Sequence, residues 1–207
     1  HDAYGVGMVV AIDGRPRRAV VESAIDALKV LYHRGAVDAD GKTGDGAGIH
    51  LEIPQEFFKD HVSRTGHVVG DETLCVGMVF LPKSDLGAQE TCRTIVESEI
   101  LSAGYYIFGW RQVPVDIAVI GEKANATRPE IEQIMIANRR GLAGDDLERN
   151  LYLVRRRIEK RVLDEHINDF YICSLSSRSI IYKGMFLAEQ LTAFYPDLLD
   201  SRFESSF

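Results

Sequence analysis

The residue types best suited to chemistry by their spacing lie in the segment 33–48. This segment carries glycines at 35, 41, 44, 46 and 48, so its backbone must bend sharply or admit a ligand at close range. Gly41-Lys42-Thr43 matches the end of a phosphate-binding loop, but that motif needs a glycine five residues before Gly41, where Ala36 stands. The spacing therefore argues against a nucleotide site.

Three acidic side chains in the same segment raise the question of a metal. A calcium loop beginning at Asp38 would need Asp or Asn at position 42 and glycine at 43, where Lys42 and Thr43 stand. The six histidines never occur at the i, i+4 spacing of a helical zinc pair, and only His33, beside Arg34, invites attention. We predict no metal site.

A dense basic run stands in a segment with helical periodicity. Its apolar stripe (Leu151, Val154, Ile158, Val162) indicates a buried face, and the cations then form a solvated face. A docking surface for another domain is the alternative. The cations are Arg155, Arg156, Arg157, Lys160 and Arg161.

Composition narrows the class of protein. The net charge of -7, from 31 acidic and 24 basic residues, argues against nucleic acid as a partner. No apolar run approaches the ~20 residues that span a bilayer, so no membrane association is expected. Three cysteines, an odd number without a CxxC pair, favour reduced structural thiols and a cytoplasmic location.

The apolar periodicity predicts alternating helices and strands in a single domain. Strands are predicted at 5–12, 49–53, 74–81, 105–113 and 115–120, with a hairpin of 169–175 and 178–183. Helices are predicted at 17–32, 54–62, 85–103, 128–138, 145–163 and 185–194. The aromatic residues 105, 106, 108 and 110 alternate along a strand, which favours core packing over base stacking. By pattern alone, α/β and α+β folds remain equally open.

Several segments together resemble one family. Tyr4-Gly5-Val6-Gly7, the stretch His33-Arg34-Gly35-Ala36 through Gly48, Gly121-Glu122-Lys123-Ala124, residues 170–176 and Tyr182-Lys183-Gly184-Met185 follow in the order found in the class II glutamine amidotransferase domain of glutamate synthases, most closely the bacterial NADPH-dependent large subunit. The resemblance implies an α+β fold: the four-layer αββα sandwich of N-terminal-nucleophile hydrolases, incomplete in this chain. Residues 1–207 would form the amino-terminal portion of that domain.

The resemblance also implies a reaction and partners. Glutamine is hydrolysed to glutamate, and the ammonia aminates 2-oxoglutarate at a second site. FMN and a 3Fe-4S cluster are implied for the full large subunit, and FAD, a 4Fe-4S cluster and NADPH for a small partner subunit, in an oligomer. None of these cofactors is expected to bind within this segment.

Tyr4 stands where the family carries its cysteine nucleophile. In the family that cysteine is the first residue of the mature chain, and its own α-amino group, with pKa ~7.7–8.0, serves as base. A phenol with pKa ~10 stays protonated at pH 7, and its ring would fill the glutamine pocket. We therefore expect the chain to be catalytically inactive as written.

Two further departures support that expectation. His1-Asp2-Ala3 precede Tyr4 as a propeptide-like remnant, so residue 4 has no free α-amine. The chain ends at Phe207, before the family's segments that grip the glutamine carboxylate and supply the oxyanion hole. We accordingly expect Tyr4→Cys alone, in residues 1–207, to yield no glutamine hydrolysis.

The remaining candidate site residues come from the glycine-rich segment. We predict that Arg34, Gly44, Asp45, Gly46 and Gly48 shape the pocket floor behind Tyr4. Alternatively, Arg34 and Asp45 merely pair to hold the loop. A non-catalytic interaction module that kept the amidotransferase fold is the alternative to an enzyme domain.

Overall fold

The computed structural model describes residues 5–31, 37–139 and 141–207. The chain divides into two compact units. Unit 1 comprises His1–Pro54, Pro114–Arg128 and Ile181–Phe207, and unit 2 comprises Gln55–Val113 and Pro129–Ile180. The chain therefore enters unit 1 three times, which brings sequence-distant segments together there.

Unit 2 is built on an antiparallel four-stranded sheet in the order β3-β4-β2-β5. Its strands are β2 (Leu74–Leu81), β3 (Tyr105–Gln112), β4 (Glu130–Asn138) and β5 (Tyr171–Ser176). Its helices are α2 (Gln55–Arg64), α3 (Leu86–Ser102) and α5 (Gly144–Asp164). The core of α3, α5 and the sheet is apolar, as the predicted periodicity requires.

The predicted basic helix is confirmed as α5. Leu151, Val154, Ile158 and Val162 form its buried stripe. Four of the five cations are exposed, and the partly buried Arg155 donates through Nε to Glu159 Oε1 at 2.8 Å. Arg161 reaches Glu99 of α3 at 2.7 Å. These contacts match the solvated-face interpretation.

The helix predicted at 128–138 is wrong, because residues Glu130–Asn138 form the inner strand β4. Ile131, Ile134 and Met135 have helical spacing, but β4 is paired on both edges and nearly all its side chains are buried. A strand buried on both faces loses its period-2 pattern. Its buried polar residues have side-chain partners: Glu132 accepts from Arg93, and Gln133 accepts from Arg111 at 2.8 Å.

Unit 1 contains α1 (Arg18–Val30), β1 (Ala47–Glu52), α4 (Glu122–Thr127), β6 (Ser179–Gly184) and α6 (Leu191–Phe194). β1 pairs with β6 in a two-stranded sheet, although the first two residues of β6 belong to unit 2. An aromatic core packs beside this sheet, with ring centroids 4.7–6.0 Å apart, and is formed by Tyr182, Phe186, Phe194, Tyr195 and Phe203.

The strand predicted at 5–12 is also wrong. Residues 5–11 form no ladder in the structure, and the side chains of Val6, Met8 and Ile12 are exposed. The Ala11 N–H donates to the Ser206 carbonyl at 2.7 Å, and Arg17 bridges Ser205. Apolar alternation alone does not make a strand, since a strand also needs a neighbour along its edge.

Three further predictions require correction. The segment 115–120 is not a strand but contains a 3-10 helix, Ile117–Val119, capped by Asp116. The helix predicted at 185–194 is reduced to a 3-10 turn followed by α6, because Leu187 has an extended backbone with φ −72° and ψ 149°. The two strands of the predicted hairpin exist, but β5 and β6 belong to different sheets.

The fold is thus a mixture of helices and strands with two sheets, and the four-layer sandwich remains a proposal. Within the described ranges, none of the helices has the length and apolar character needed to cross a membrane. Cys75, Cys92 and Cys173 are free thiols buried in unit 2. Burial raises the pKa of Cys75 to about 12 and that of Cys92 to about 11.

Candidate functional site

The predicted site residues fall partly outside the described residues. Tyr4 and Arg34 lie outside the described residues, so their predicted roles stay predictions. Gly44, Asp45, Gly46 and Gly48 all lie in the described part of unit 1. The geometry of the site is therefore built from the loop that follows Arg34.

Residues 37–44, here called the acidic turn, form a closed loop. Val37 and Gly44 form an antiparallel bridge, and the Asp38 N–H donates to the Thr43 carbonyl at 2.9 Å. Gly41 has φ +67°, a left-handed conformation that favours glycine. The partial match of Gly41-Lys42-Thr43 to a phosphate loop is thus a turn that the chain closes on itself.

The Asp40 carboxylate organises the inside of the acidic turn. It accepts from the Lys42 N–H at 2.9 Å, from the Thr43 N–H at 2.7 Å and from the Thr43 hydroxyl at 2.5 Å. The bonds from Thr43 are the main reason that the pKa of Asp40 lies below its ordinary value. These bonds give Asp40 a structural role in place of the calcium role considered above.

The amino-terminal end of α4 packs against the acidic turn. A Cβ on Gly121 would lie 2.2 Å from both Asp40 Oδ2 and Thr43 Oγ1, so only glycine fits there. Lys123 Nζ donates to Asp38 Oδ2 at 2.5 Å. This bond lowers the pKa of Asp38 and raises that of Lys123. The Gly121-Lys123 segment therefore fixes the turn from one side.

The two flanking glycines of the predicted pocket contact the segment 182–187. A Cβ on Gly44 would lie 2.7 Å from the carbonyl carbon of Phe186, and a Cβ on Gly48 would lie 2.8 Å from the Tyr182 carbonyl oxygen. Both glycines allow main chain to approach main chain. The motif segments 37–48, 121–124 and 182–185, quoted above for their order in the sequence, thus meet in space.

Asp45 and Gly46 are exposed between these two close contacts. Gly46 has φ +129°, which side chains rarely adopt. Arg34 lies outside the described residues. The two predicted roles of Asp45, in the pocket floor and in an ion pair with Arg34, therefore stay predictions. This loop therefore presents exposed main-chain groups beside one carboxylate to a ligand.

Potential metal ligands do not cluster among the described residues. Among them, no group of three or more His, Cys, Asp or Glu side chains has an arrangement that could hold a metal ion. The three thiols are buried in unit 2. The expectation that no metal or cofactor binds within this segment stays a prediction.

The sequence analysis missed three residues that shape the site. Gly121 and Lys123 lie in a motif that carried the family resemblance, but the motif alone does not show that they pack on the acidic turn. Gln190 contacts the turn through the Lys42 carbonyl at 3.1 Å. Its signal was hidden, because the helix predicted over 185–194 would have placed it on a regular helical face.

Comparisons with known proteins identify relatives of this chain. The family of class II glutamine amidotransferases matches residues 4–207. The chain is 69% identical, over its whole length, to the NADPH glutamate synthase large chain of Azospirillum brasilense, of which it covers 14%. It is 40% identical to ferredoxin-dependent glutamate synthase 2 of Synechocystis and 38% identical to a ferredoxin-dependent glutamate synthase of Arabidopsis thaliana, covering 13% of each.

The chain thus spans about one seventh of the length of these relatives. The family match, in contrast, extends over nearly all of its residues and includes the loop, turn and helix end that meet in unit 1. This chain belongs to the class II glutamine amidotransferase family.

Proposed function

We propose that this chain is the amidotransferase segment of a glutamate synthase, which takes glutamine as its substrate and directs the released ammonia to 2-oxoglutarate. The observation that carries the proposal is the 69% identity to the NADPH glutamate synthase large chain over all 207 residues. Identity to the ferredoxin-dependent glutamate synthases of Synechocystis and Arabidopsis thaliana is 40% and 38%. An NADPH-dependent system is therefore favoured.

The geometry of unit 1 supports a binding role for the glycine-rich loop. Gly44 and Gly48 hold the loop against 182–187, while Gly46 and Asp45 stay exposed between them. A loop fixed at both ends presents main-chain groups without the entropy cost of ordering them on binding. We propose that this stretch, with Arg34, lines the glutamine pocket.

We further propose that the chain does not hydrolyse glutamine while tyrosine occupies position 4. A thiol is partly ionised near neutral pH and strongly nucleophilic, whereas a phenol with pKa ~10 is neither. The residues His1-Asp2-Ala3 also block the α-amine that would serve as base. The second candidate function is a non-catalytic interaction module. The tyrosine at position 4 is the observation that favours it.

The partners follow from the same proposal. The remainder of a large subunit would carry FMN and a 3Fe-4S cluster, and a small subunit would carry FAD, a 4Fe-4S cluster and the NADPH site. We propose a cytoplasmic oligomer of these subunits. This segment's own contribution is the loop that lines the glutamine pocket.

A hybrid enzyme tests the proposal. In the Azospirillum brasilense large chain, the stretch that aligns with residues 4–207 is replaced by this sequence, behind a protease site whose cleavage leaves residue 4 first. Two versions are compared, the unchanged hybrid and the Tyr4→Cys hybrid. Glutamate release from glutamine reports the amidotransferase, and glutamate formation from added ammonia and 2-oxoglutarate reports the remainder of the enzyme.

We expect the Tyr4→Cys hybrid to hydrolyse glutamine at least about a thousandfold faster than the unchanged hybrid, because it alone has a competent nucleophile. Both should use added ammonia equally. Comparable hydrolysis by the unchanged hybrid would overturn the assignment of Tyr4. A Tyr4→Cys hybrid that uses ammonia but not glutamine would favour the interaction module.

A further inference from the structure

The Gln190 side chain bonds to the main chain of three separate segments of unit 1. Its amide nitrogen donates to the Val119 carbonyl at 2.6 Å and to the Lys42 carbonyl at 3.1 Å. Its amide oxygen accepts from the Leu187 N–H at 2.8 Å. Two donors and an acceptor in this arrangement require a primary amide, so the identity of the residue matters at every contact.

Each of these three segments also contacts the acidic turn or the glycine-rich loop. Lys42 belongs to the acidic turn itself. Val119 lies two residues before Gly121, which packs on Asp40 and Thr43. The Leu187 nitrogen lies 2.9 Å from the Cβ position of Gly44. Gln190 therefore links the acidic turn to the segments around Val119 and Leu187, which pack beside it.

The second tie on the acidic turn is weaker. The Lys123 side chain is 72% exposed, and an ion pair so open to water contributes little in general. Gln190 is half-buried, and its three bonds reach main chain, which cannot rotate away. One of these bonds reaches the acidic turn itself, and the other two tie Gln190 to the segments beside the turn.

We propose that Gln190 is a positioning residue for glutamine binding. By holding the acidic turn, it sets the place of the loop from Gly44 to Gly48 that follows the turn. Gln190 acts through these residues and is not itself a catalytic residue. The inference rests on the proposed function, since it concerns the same pocket.

The test uses the Tyr4→Cys hybrid as parent and two substitutions of similar size. Gln190→Met removes all three hydrogen bonds. Gln190→Glu keeps the acceptor but replaces the donor by an oxygen that faces two carbonyl groups. Gln55→Met is the matched control, because Gln55 also bonds main chain, at Leu74 in unit 2, with distances of 3.0 and 2.9 Å.

We expect Gln190→Met to raise the KM for glutamine about tenfold and to change kcat less than about twofold, because loop position affects binding more than chemistry. Gln55→Met should leave KM at the parental value. Ammonia-dependent glutamate formation should be equal in all variants.

The Gln190→Glu variant adds a pH-dependent readout that a purely structural role would not produce. Two facing carbonyls raise the pKa of the introduced carboxyl, and its protonated form regains one donor. The ratio of its KM to the parental KM should therefore fall between about pH 8 and pH 6. The same ratio for Gln190→Met should stay constant over this range.

Three results would overturn the proposal: a parental KM in both Gln190 variants, an equal KM increase in Gln55→Met, or a loss confined to kcat. If Gln190→Met fails to fold, the test rests on the pH dependence of KM in Gln190→Glu, with Gln55→Met as the control. A parent hybrid without glutaminase activity is a different result, because it contradicts the proposed function before any Gln190 variant is made.

Discussion

Gly44→Ala tests the closest main-chain approach in the site. A Cβ at residue 44 would lie 2.7 Å from both the carbonyl carbon and the carbonyl oxygen of Phe186, and 2.9 Å from the Leu187 nitrogen. All three are main-chain atoms, so no rotation of a side chain relieves the contact. Phe186 is itself buried in the aromatic core, which keeps its backbone from moving outward.

The expected cost follows from these contacts. Overpacking of a well-packed site costs about 1–3 kcal/mol of unfolding free energy, and three main-chain contacts below 3 Å place Gly44→Ala at the upper end of that range. Replacing glycine stabilises by about 0.4–1 kcal/mol through the unfolded chain. The net loss is about 2 kcal/mol, and the melting temperature should fall by about 4–8 °C for a chain of this size.

The assay is thermal unfolding followed by circular dichroism, with Gly87→Ala as matched control. Gly87 lies in α3, and its Cβ would meet only the Asp85 carboxylate, at 3.4 Å. That variant should keep or slightly raise the melting temperature. If Gly44→Ala melts no lower than Gly87→Ala, the packing of 186–187 on residue 44 is refuted, and with it the claim that Gly44 anchors the loop.

Three further outcomes are expected. Cys75 and Cys92, with pKa values raised to about 12 and about 11 by burial, should resist alkylation at pH 8 in the folded chain and react once it is unfolded, as measured by intact mass. Arg93→Met should lower the unfolding free energy by about 1–3 kcal/mol, because the buried Glu132 carboxylate loses its partner 2.6 Å away; urea titration measures this. The pKa of Asp200 is lowered to about 2 by the hydrogen bond from the neighbouring arginine, so its stabilisation is present above pH 4 and lost as pH falls towards 2. The stability difference between the parent and Asp200→Asn should therefore shrink over that window, and a constant difference would contradict it.

Long segments with one clear period were predictable from the sequence. The strand at 74–81 has the observed bounds of β2, and the helices at 85–103 and 145–163 agree with α3 and α5 to within one residue at each end. In α3 the local signal was complete, because Asp85 caps the helix by accepting from the Ala88 N–H at 2.9 Å. In such segments, periodicity and capping indicate the same element.

The failures arose where tertiary pairing decides the structure. β4 was predicted as a helix because its pairing with β2 and β3, which are distant in sequence, makes it an inner strand with nearly all side chains buried. Conversely, 5–12 has strand-like alternation but no ladder in the structure. Neither pairing nor its absence can be read from a single segment, since both depend on what lies beside it.

The site shows the same division. The glycine-rich loop was recognised from composition, but the reasons for its glycines were not. Gly44 and Gly48 are required by the segment 182–187, and Gly121 is required by Asp40 and Thr43. Such requirements join residues more than 70 positions apart. The sequence around Gln190 did not indicate its role, because that role depends on three hydrogen-bond partners that only the fold brings together.

This organisation leads to a last prediction about position 4. The contacts that hold the acidic turn are made by Gly121, Lys123 and Gln190, so the loop does not need a cysteine at position 4 in order to form. We therefore expect the Tyr4→Ala hybrid to bind glutamine without hydrolysing it, while the larger tyrosine ring excludes glutamine from the unchanged hybrid. Isothermal titration with glutamine measures both. Equal binding by the two hybrids would show that the ring lies outside the pocket and that the tyrosine abolishes only the chemical step. Binding by neither hybrid would place the defect in the loop that Gln190 positions.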